Sequence, residues 1–92
     1  ALRRPLCDLV GGRARDAAPF SAYLFYKHGG GGGIGEDARE DKYGECLDAP
    51  SIVRQARMFI EEYGFEEIKL KGGVLPPDDE IETIRQLRVA FG

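Results

Sequence analysis

The sequence predicts an α/β protein in which strands and helices alternate. Two short apolar segments, residues 20–26 (FSAYLFY) and 65–71 (FEEIKLK), each precede a segment whose apolar residues recur at helical spacing. A strand, a helix and a second strand in this order form a right-handed crossover, so we expect two parallel, neighbouring strands. Because two strands do not make a stable sheet, the pattern indicates two units of a larger fold. A (β/α)₈ barrel and a doubly wound open sheet both fit.

The composition excludes several classes of protein. The 92 residues carry 13 basic and 16 acidic side chains, a formal net charge of -3, which provides no basic surface for a nucleic acid. No run approaches the roughly 18 apolar residues of a membrane-spanning helix, and the first residues are too charged for a secretory signal. Two widely separated cysteines are typical of free thiols in a reducing compartment. We therefore expect a small cytoplasmic domain that binds neither nucleic acid nor membrane.

Residues 1–19 are predicted to be the end of a helix and a linker that leads into the first strand. Apolar residues recur at helical spacing as far as Val10, and Gly11 and Gly12 can supply the left-handed conformation that ends helices. No capping residue precedes the segment, and Pro5 would interrupt a helix that extended further back. We expect that this helix begins outside the chain and that the chain is a partial one.

The first strand, residues 20–26, is followed by a glycine-rich loop at residues 27–47. Five consecutive glycines maximise backbone freedom and no apolar periodicity anchors the loop, so we expect a mobile lid or a disordered insert. The glycines formally satisfy a phosphate-binding pattern, but acidic residues follow them instead of a helix, which argues against nucleotide binding. Those acidic residues match no calcium-loop spacing, so a metal site in the loop is not expected either.

Two helices are predicted, one after each strand. Asp48 or Ser51 can cap the first, Pro50 opens it and Gly64 ends it, whereas a pair of prolines at residues 76–77 introduces the second. The expected buried positions are Ile52, Val53, Ala56, Phe59, Ile60 and Tyr63 on the first helix, and Ile81, Ile84, Leu87 and Phe91 on the second.

The second strand ends on two lysines separated by one residue. Because side chains alternate along a strand, Lys69 and Lys71 must share one face, while Ile68 and Leu70 occupy the other. If the apolar pair packs on helices, the lysines face the interior of a barrel at the carboxyl end of the strand, where barrel enzymes place catalytic groups. Paired cations in a partly dry site favour a neutral amine, which can act as a general base. The alternative is an edge strand with solvated lysines.

The longest informative stretch is YGFEEIKLKGGVLPPDDEIETIRQLRVAFG, and AYLFY lies upstream of it. Together they resemble the mandelate racemase-like enzymes of the enolase superfamily, and within these the glucarate dehydratase branch. Members of that branch carry a Lys-x-Lys motif on the second barrel strand and a YLF-aromatic stretch on the first. Both motifs occur here in that order, and the resemblance weakens only at residues 27–47. It implies that residues 20–92 are the first two β/α units of an incomplete (β/α)₈ barrel.

The resemblance also implies an activity: a lyase that abstracts the proton α to a carboxylate of an acid sugar and eliminates water, with magnesium as cofactor. Lys71 corresponds to the general base, Lys69 to a neighbouring lysine that contacts substrate, and Tyr23 to a substrate-contacting tyrosine. The metal ligands, an acid-base pair and a capping domain of that family lie outside this sequence. The chain alone is therefore expected to be inactive.

Two hypotheses follow for the protein as a whole. In the first, the chain joins the remainder of the barrel and a capping domain, acts on a small acid sugar in the cytoplasm, and forms a homo-oligomer. In the second, which needs no resemblance, it is a small non-catalytic βαβα module that binds an anion or a partner protein through Lys69 and Lys71. The sequence does not decide which acid sugar is the substrate, or between dehydration and epimerisation.

Overall fold

The computed structural model describes residues 2–92 as two parallel strands with two long helices packed on one face. In chain order the elements are helix α1 (Leu6–Leu9), strand β1 (Ala22–Phe25), a 3₁₀ turn (Gly35–Asp37), helix α2 (Ala49–Tyr63), strand β2 (Ile68–Lys71) and helix α3 (Pro77–Phe91). The predicted α/β class and the order strand, helix, strand, helix are thereby confirmed. Within residues 2–92, no helix has the length and apolar character needed to span a bilayer.

The two strands pair in parallel, as predicted. Ala22 lies opposite Ile68 and Phe25 opposite Lys71, so the strands are in register along their whole length. The backbone N–H of Ala22 donates to the carbonyl of Glu67 at 2.8 Å, which extends the pairing by one bond before β2 begins. Both strands are shorter than predicted, because residues 20–21 and 26 of the first segment and residues 65–67 of the second lie outside the strands.

The core lies between one face of the strands and the two long helices. Alternation along β1 turns Ala22 and Leu24 towards the helices, and Ile68 and Leu70 pack there from β2, as predicted. Each fully buried aliphatic side chain contributes about 1.5–3 kcal/mol to folding, so this cluster is the main attraction between sheet and helices. Its buried members are Leu24, Tyr26, Cys46, Ile52, Ala56 and Leu87.

Helix α2 has a capping residue at each end. The Asp48 carboxylate accepts from the backbone N–H of Ser51 at 2.9 Å, and the Ser51 hydroxyl accepts from the backbone N–H of Asp48 at 3.2 Å. The two candidate caps thus act together in a capping box. Gly64 ends the helix as predicted. Ile52 and Ala56 are buried as expected, but Tyr63, in the last turn of α2, is exposed.

The predicted buried stripe of α3 is partly wrong. Leu87 is buried, but Ile81 is 54% exposed and Ile84 is 58% exposed, whereas Thr83 is fully buried. The side of α3 that carries Thr83 and Leu87 packs on the core, while Ile84 borders a groove beside β2 that no other part of residues 2–92 fills. The Thr83 hydroxyl donates to the carbonyl of Asp79 at 3.0 Å, which satisfies the polar group inside the core.

The amino-terminal helix is shorter than its apolar spacing predicts. It forms a single turn, Leu6–Leu9, and none of its residues is buried. The backbone N–H of Gly12 donates to the carbonyl of Cys7 at 2.7 Å, so the glycine pair ends this turn as expected. The leucines of α1 do not reach the core, so spacing alone overstated the helix.

The loop between β1 and α2 has defined contacts at its base. Lys27 and Cys46 form an antiparallel bridge through two backbone hydrogen bonds of 2.9 Å each, which brings the two ends of the loop together. A Cβ atom at Gly31 would collide with the carbonyl oxygen of Arg39, so this close approach of two chain segments requires glycine there. The glycine run therefore permits packing within the loop. That the loop acts as a mobile lid stays a prediction.

An ion pair between Lys27 and Asp41 connects the first residue of the loop to its second half, and we call this ion pair the clasp. The Asp41 carboxylate lies 2.8 Å from the Lys27 ammonium and also accepts the backbone N–H groups of Gly30 at 2.8 Å and Gly44 at 3.0 Å. The Lys27 ammonium in turn donates to the carbonyl of Gly44 at 2.7 Å. The hydrogen bond from Lys27, followed by those from the two glycines, holds the pKa of Asp41 below its usual value.

Replacing Asp41 with alanine is expected to loosen the loop, because one substitution removes the acceptor for an ammonium and two backbone N–H groups. Amide hydrogen exchange at Gly30 and Gly44 should become faster. Because the folded-state pKa of Asp41 is depressed, the clasp contributes fully above the usual value of 3.8 and is lost as pH falls through the folded value. Glu40→Ala is the matched control, and equal protection in both variants would contradict the clasp.

Candidate functional site

The face of the sheet opposite the helices carries four side chains. They are Tyr23 and Phe25 from β1 and Lys69 and Lys71 from β2, and we call this surface the open face. Tyr23 lies opposite Lys69, and Phe25 opposite Lys71, so two aromatic rings stand beside two ammonium groups. The rings are 40% and 42% exposed, and both lysines are exposed. The structure thus brings together all three residues predicted for the site.

Lys69 is held above the ring of Tyr23. Its Nζ lies 5.0 Å from the ring centroid, the geometry of a cation–π contact, which is worth about 0.5–1 kcal/mol at exposed sites. The rings of Tyr23 and Phe25 have centroids 4.4 Å apart and planes tilted by 42°. The ammonium of Lys69 is therefore placed at a defined point over an aromatic surface.

The end of β1 is tied to helix α2 by a buried amide. The backbone N–H of Phe25 donates to Oε1 of Gln55 at 3.3 Å, and Gln55 is 3% exposed. A buried polar side chain needs such a partner, so this contact also explains a glutamine within the apolar side of α2. Neither residue was among those predicted for the site. The signals were present: Phe25 stands two residues after Tyr23, and Gln55 interrupts a helical apolar pattern.

The lysines of the open face are available to an anion. Neither Lys69 nor Lys71 forms an ion pair or a side-chain hydrogen bond with another residue between positions 2 and 92. Lys71 is the last residue of β2, so its side chain stands at the carboxyl edge of the strand pair. Two neighbouring positive charges without carboxylate partners among the described residues attract acidic molecules.

The open face does not fit a magnesium ion. Magnesium takes oxygen ligands, whereas this surface offers two amines and two aromatic rings. Across the described part of the chain, no group of three or more histidine, cysteine, aspartate or glutamate side chains is placed to hold a metal. A magnesium ion beside this face would need ligands from outside these residues.

The chain is similar to enzymes of known sequence and structure. It is 46% identical over 91 residues to a probable glucarate dehydratase of Streptomyces coelicolor, a match that covers 99% of this chain and 21% of that protein. An enolase from Thermobispora bispora complexed with magnesium and formate is 57% identical, with a TM-score of 0.79 over 96% of this chain and 20% of its own. No family model matches the sequence.

A further crystal structure, an enolase from Pseudomonas fluorescens with bound magnesium, potassium and tartrate, is 48% identical with a TM-score of 0.79. That match covers 95% of this chain and 20% of the other. The chain thus spans about a fifth of the length of the relatives it matches. Its two parallel strands and their helices match a part of these larger barrel proteins. The chain therefore matches a segment of enolase-superfamily enzymes, and its predicted resemblance to the glucarate dehydratase branch is confirmed.

Proposed function

We propose that the chain is the part of a magnesium-dependent acid-sugar dehydratase that supplies the base for proton abstraction. The open face carries this proposal, because two lysines without an ion-pair partner in residues 2–92 and two aromatic rings lie on one side of parallel strands, near the end where barrel enzymes do their chemistry. The relatives support it: one is named a probable glucarate dehydratase, and another binds tartrate, a hydroxy diacid. Residues 20–92 would then form the first two β/α units of the barrel.

Each site residue has a separate role in this proposal. The ammonium of Lys69 donates to a carboxylate of the acid sugar, and the hydroxyl of Tyr23 contacts the same molecule. Nζ of Lys71, as a neutral amine, accepts the proton on the carbon next to that carboxylate, and the electron pair of the broken C–H bond moves towards the carboxylate. The hydroxyl on the following carbon then leaves as water, protonated by a group outside these residues.

The proposal also requires magnesium, held by residues outside this chain. Removing the metal from the complete protein with EDTA is expected to abolish formation of a keto-acid product from glucarate, and added Mg²⁺ should restore it. Undiminished turnover in EDTA would contradict the magnesium requirement. Binding of glucarate without turnover, with or without Mg²⁺, would instead support the non-catalytic module. A cytoplasmic location and a homo-oligomeric state stay predictions.

A further inference from the structure

The loop that follows Lys71 is held by a carboxylate from the first turn of α3. Glu80 reaches back across residues 72–76, and its Oε1 accepts the backbone N–H groups of Gly73 at 2.8 Å, Val74 at 2.8 Å and Leu75 at 3.0 Å. Its Oε2 also accepts from Gly73, at 3.0 Å. Three consecutive N–H groups therefore converge on one side chain. Such charge-assisted bonds are roughly twice as strong as neutral ones.

The same carboxylate lies against the residue that directly follows Lys71. A Cβ atom at Gly72 would stand 2.5 Å from Oε2 of Glu80, closer than real side-chain carbons approach other atoms. Glycine at this position lets the carboxylate come close to the end of β2. The backbone there is then constrained on two sides, by pairing with Phe25 on β1 and by Glu80 beyond Lys71.

The hydrogen bonds of Glu80 do more than place a negative charge at the amino end of α3. Asp78 and Asp79 share the first turn of α3, and their side chains accept no hydrogen bond from any residue between 2 and 92. Either of them could favour the helix dipole, so Glu80 is not needed for that purpose. The N–H groups of Gly73, then those of Leu75 and Val74, hold the pKa of Glu80 below its usual value. Glu80 is therefore ionised at neutral pH.

We propose that Glu80 is a positioning residue for Lys71. This inference rests on the proposed function, in which the Lys71 amine must reach a substrate carbon. By binding three N–H groups of the loop and contacting Gly72, Glu80 sets the direction in which the chain leaves β2. It thereby sets the point from which the amine of Lys71 extends. Catalysis is sensitive to such placement, because an error of about 1 Å can cost about 100-fold in rate.

The test compares three variants with the unchanged protein and with Lys71→Ala, all in the complete protein. Glu80→Ala removes the acceptor, and Glu80→Gln keeps an oxygen that can still accept the three N–H groups. Glu82→Ala is the matched control, because Glu82 lies on the same helix and, among residues 2–92, its side chain bonds only with Arg85 at 2.7 Å and Gln86 at 3.0 Å. Rates of α-proton exchange on glucarate give kcat and KM, and amide exchange reports on residues 73–75.

The expected result for Glu80→Ala is a kcat lowered by about 10- to 100-fold with KM little changed, together with faster amide exchange at residues 73–75. Glu80→Gln should recover most of the rate, and Glu82→Ala should behave as the unchanged protein. If Glu80→Ala does not fold, Glu80→Asp replaces it, since a side chain one methylene shorter cannot reach all three N–H groups.

Two results would overturn the inference, and they can be told apart. If Lys71→Ala loses α-proton exchange while Glu80→Ala changes only the melting temperature, Glu80 merely stabilises the loop and the positioning role alone fails. If Lys71→Ala retains α-proton exchange, the proposed function itself fails, and the positioning role fails with it.

Discussion

Replacing Lys71 with alanine in the complete protein is expected to lower the rate of α-proton abstraction by about 10²–10⁴-fold, the usual cost of losing a general base. The fold should survive, because the Lys71 side chain is exposed and no described residue pairs with it. The measurement is exchange of the substrate α-proton for deuterium in D₂O, followed by NMR. Exchange reports the proton-transfer step even when the later loss of water is slow.

A second lysine provides the control for this experiment. Lys42 forms a surface ion pair with Glu62 and lies far along the chain from the open face, so Lys42→Ala should leave the exchange rate unchanged. A near-normal exchange rate in Lys71→Ala would remove Lys71 from the role of base. The two variants together separate a loss of the base from a general effect of removing a positive charge.

Lys69→Met is expected to weaken substrate binding and slow the reaction together. The variant keeps a long flexible side chain over the ring of Tyr23 but loses the ammonium that donates to the substrate carboxylate. A hydrogen bond to a charged group is worth about 1.5–3 kcal/mol, so kcat/KM should fall by about 10- to 100-fold. Steady-state kinetics with glucarate, alongside a thermal melt, would measure both effects.

The thermal melt distinguishes a functional from a structural Lys69. The cation–π contact of Lys69 at this exposed position is worth about 0.5–1 kcal/mol, so the melting temperature should change little. Lys69→Arg keeps a cation over the ring and should retain more activity than Lys69→Met. A change in melting temperature without a change in kcat/KM would show that the lysine serves only the structure.

Local chemistry made much of the fold predictable. Proline and glycine change what the backbone can do within a few residues, so Pro50 and Gly64 mark the ends of α2 in the sequence as well as in the structure. Alternation along a strand is equally local, which is why the sequence alone assigns Lys69 and Lys71 to one face of β2. The same alternation assigns Ile68 and Leu70 to the other face.

The hydrogen bonds and ion pairs that carboxylates form in the loops were not predictable in the same way. The clasp joins Lys27 to Asp41 across fourteen positions, and the Glu80 side chain extends from the first turn of α3 to the N–H groups of residues 73–75. A sequence shows which carboxylates exist, but their partners depend on where the chain returns in space. In each contact at least one partner lies in a loop without apolar periodicity, the pattern by which helices and strands are identified in a sequence.

The sequence by itself determined the α/β order, the parallel pairing and the shared face of the two lysines. The pairing follows from the order strand, helix, strand, and the shared face follows from alternation along one strand. Only the tertiary structure decided which side of α3 is buried, since Thr83 enters the core and Ile84 does not. It also decided that Tyr23 stands under Lys69, because the register of two strands depends on packing between segments far apart in the chain. Burial and strand register depend on which surfaces pack together, and the sequence of one segment does not specify its packing partner.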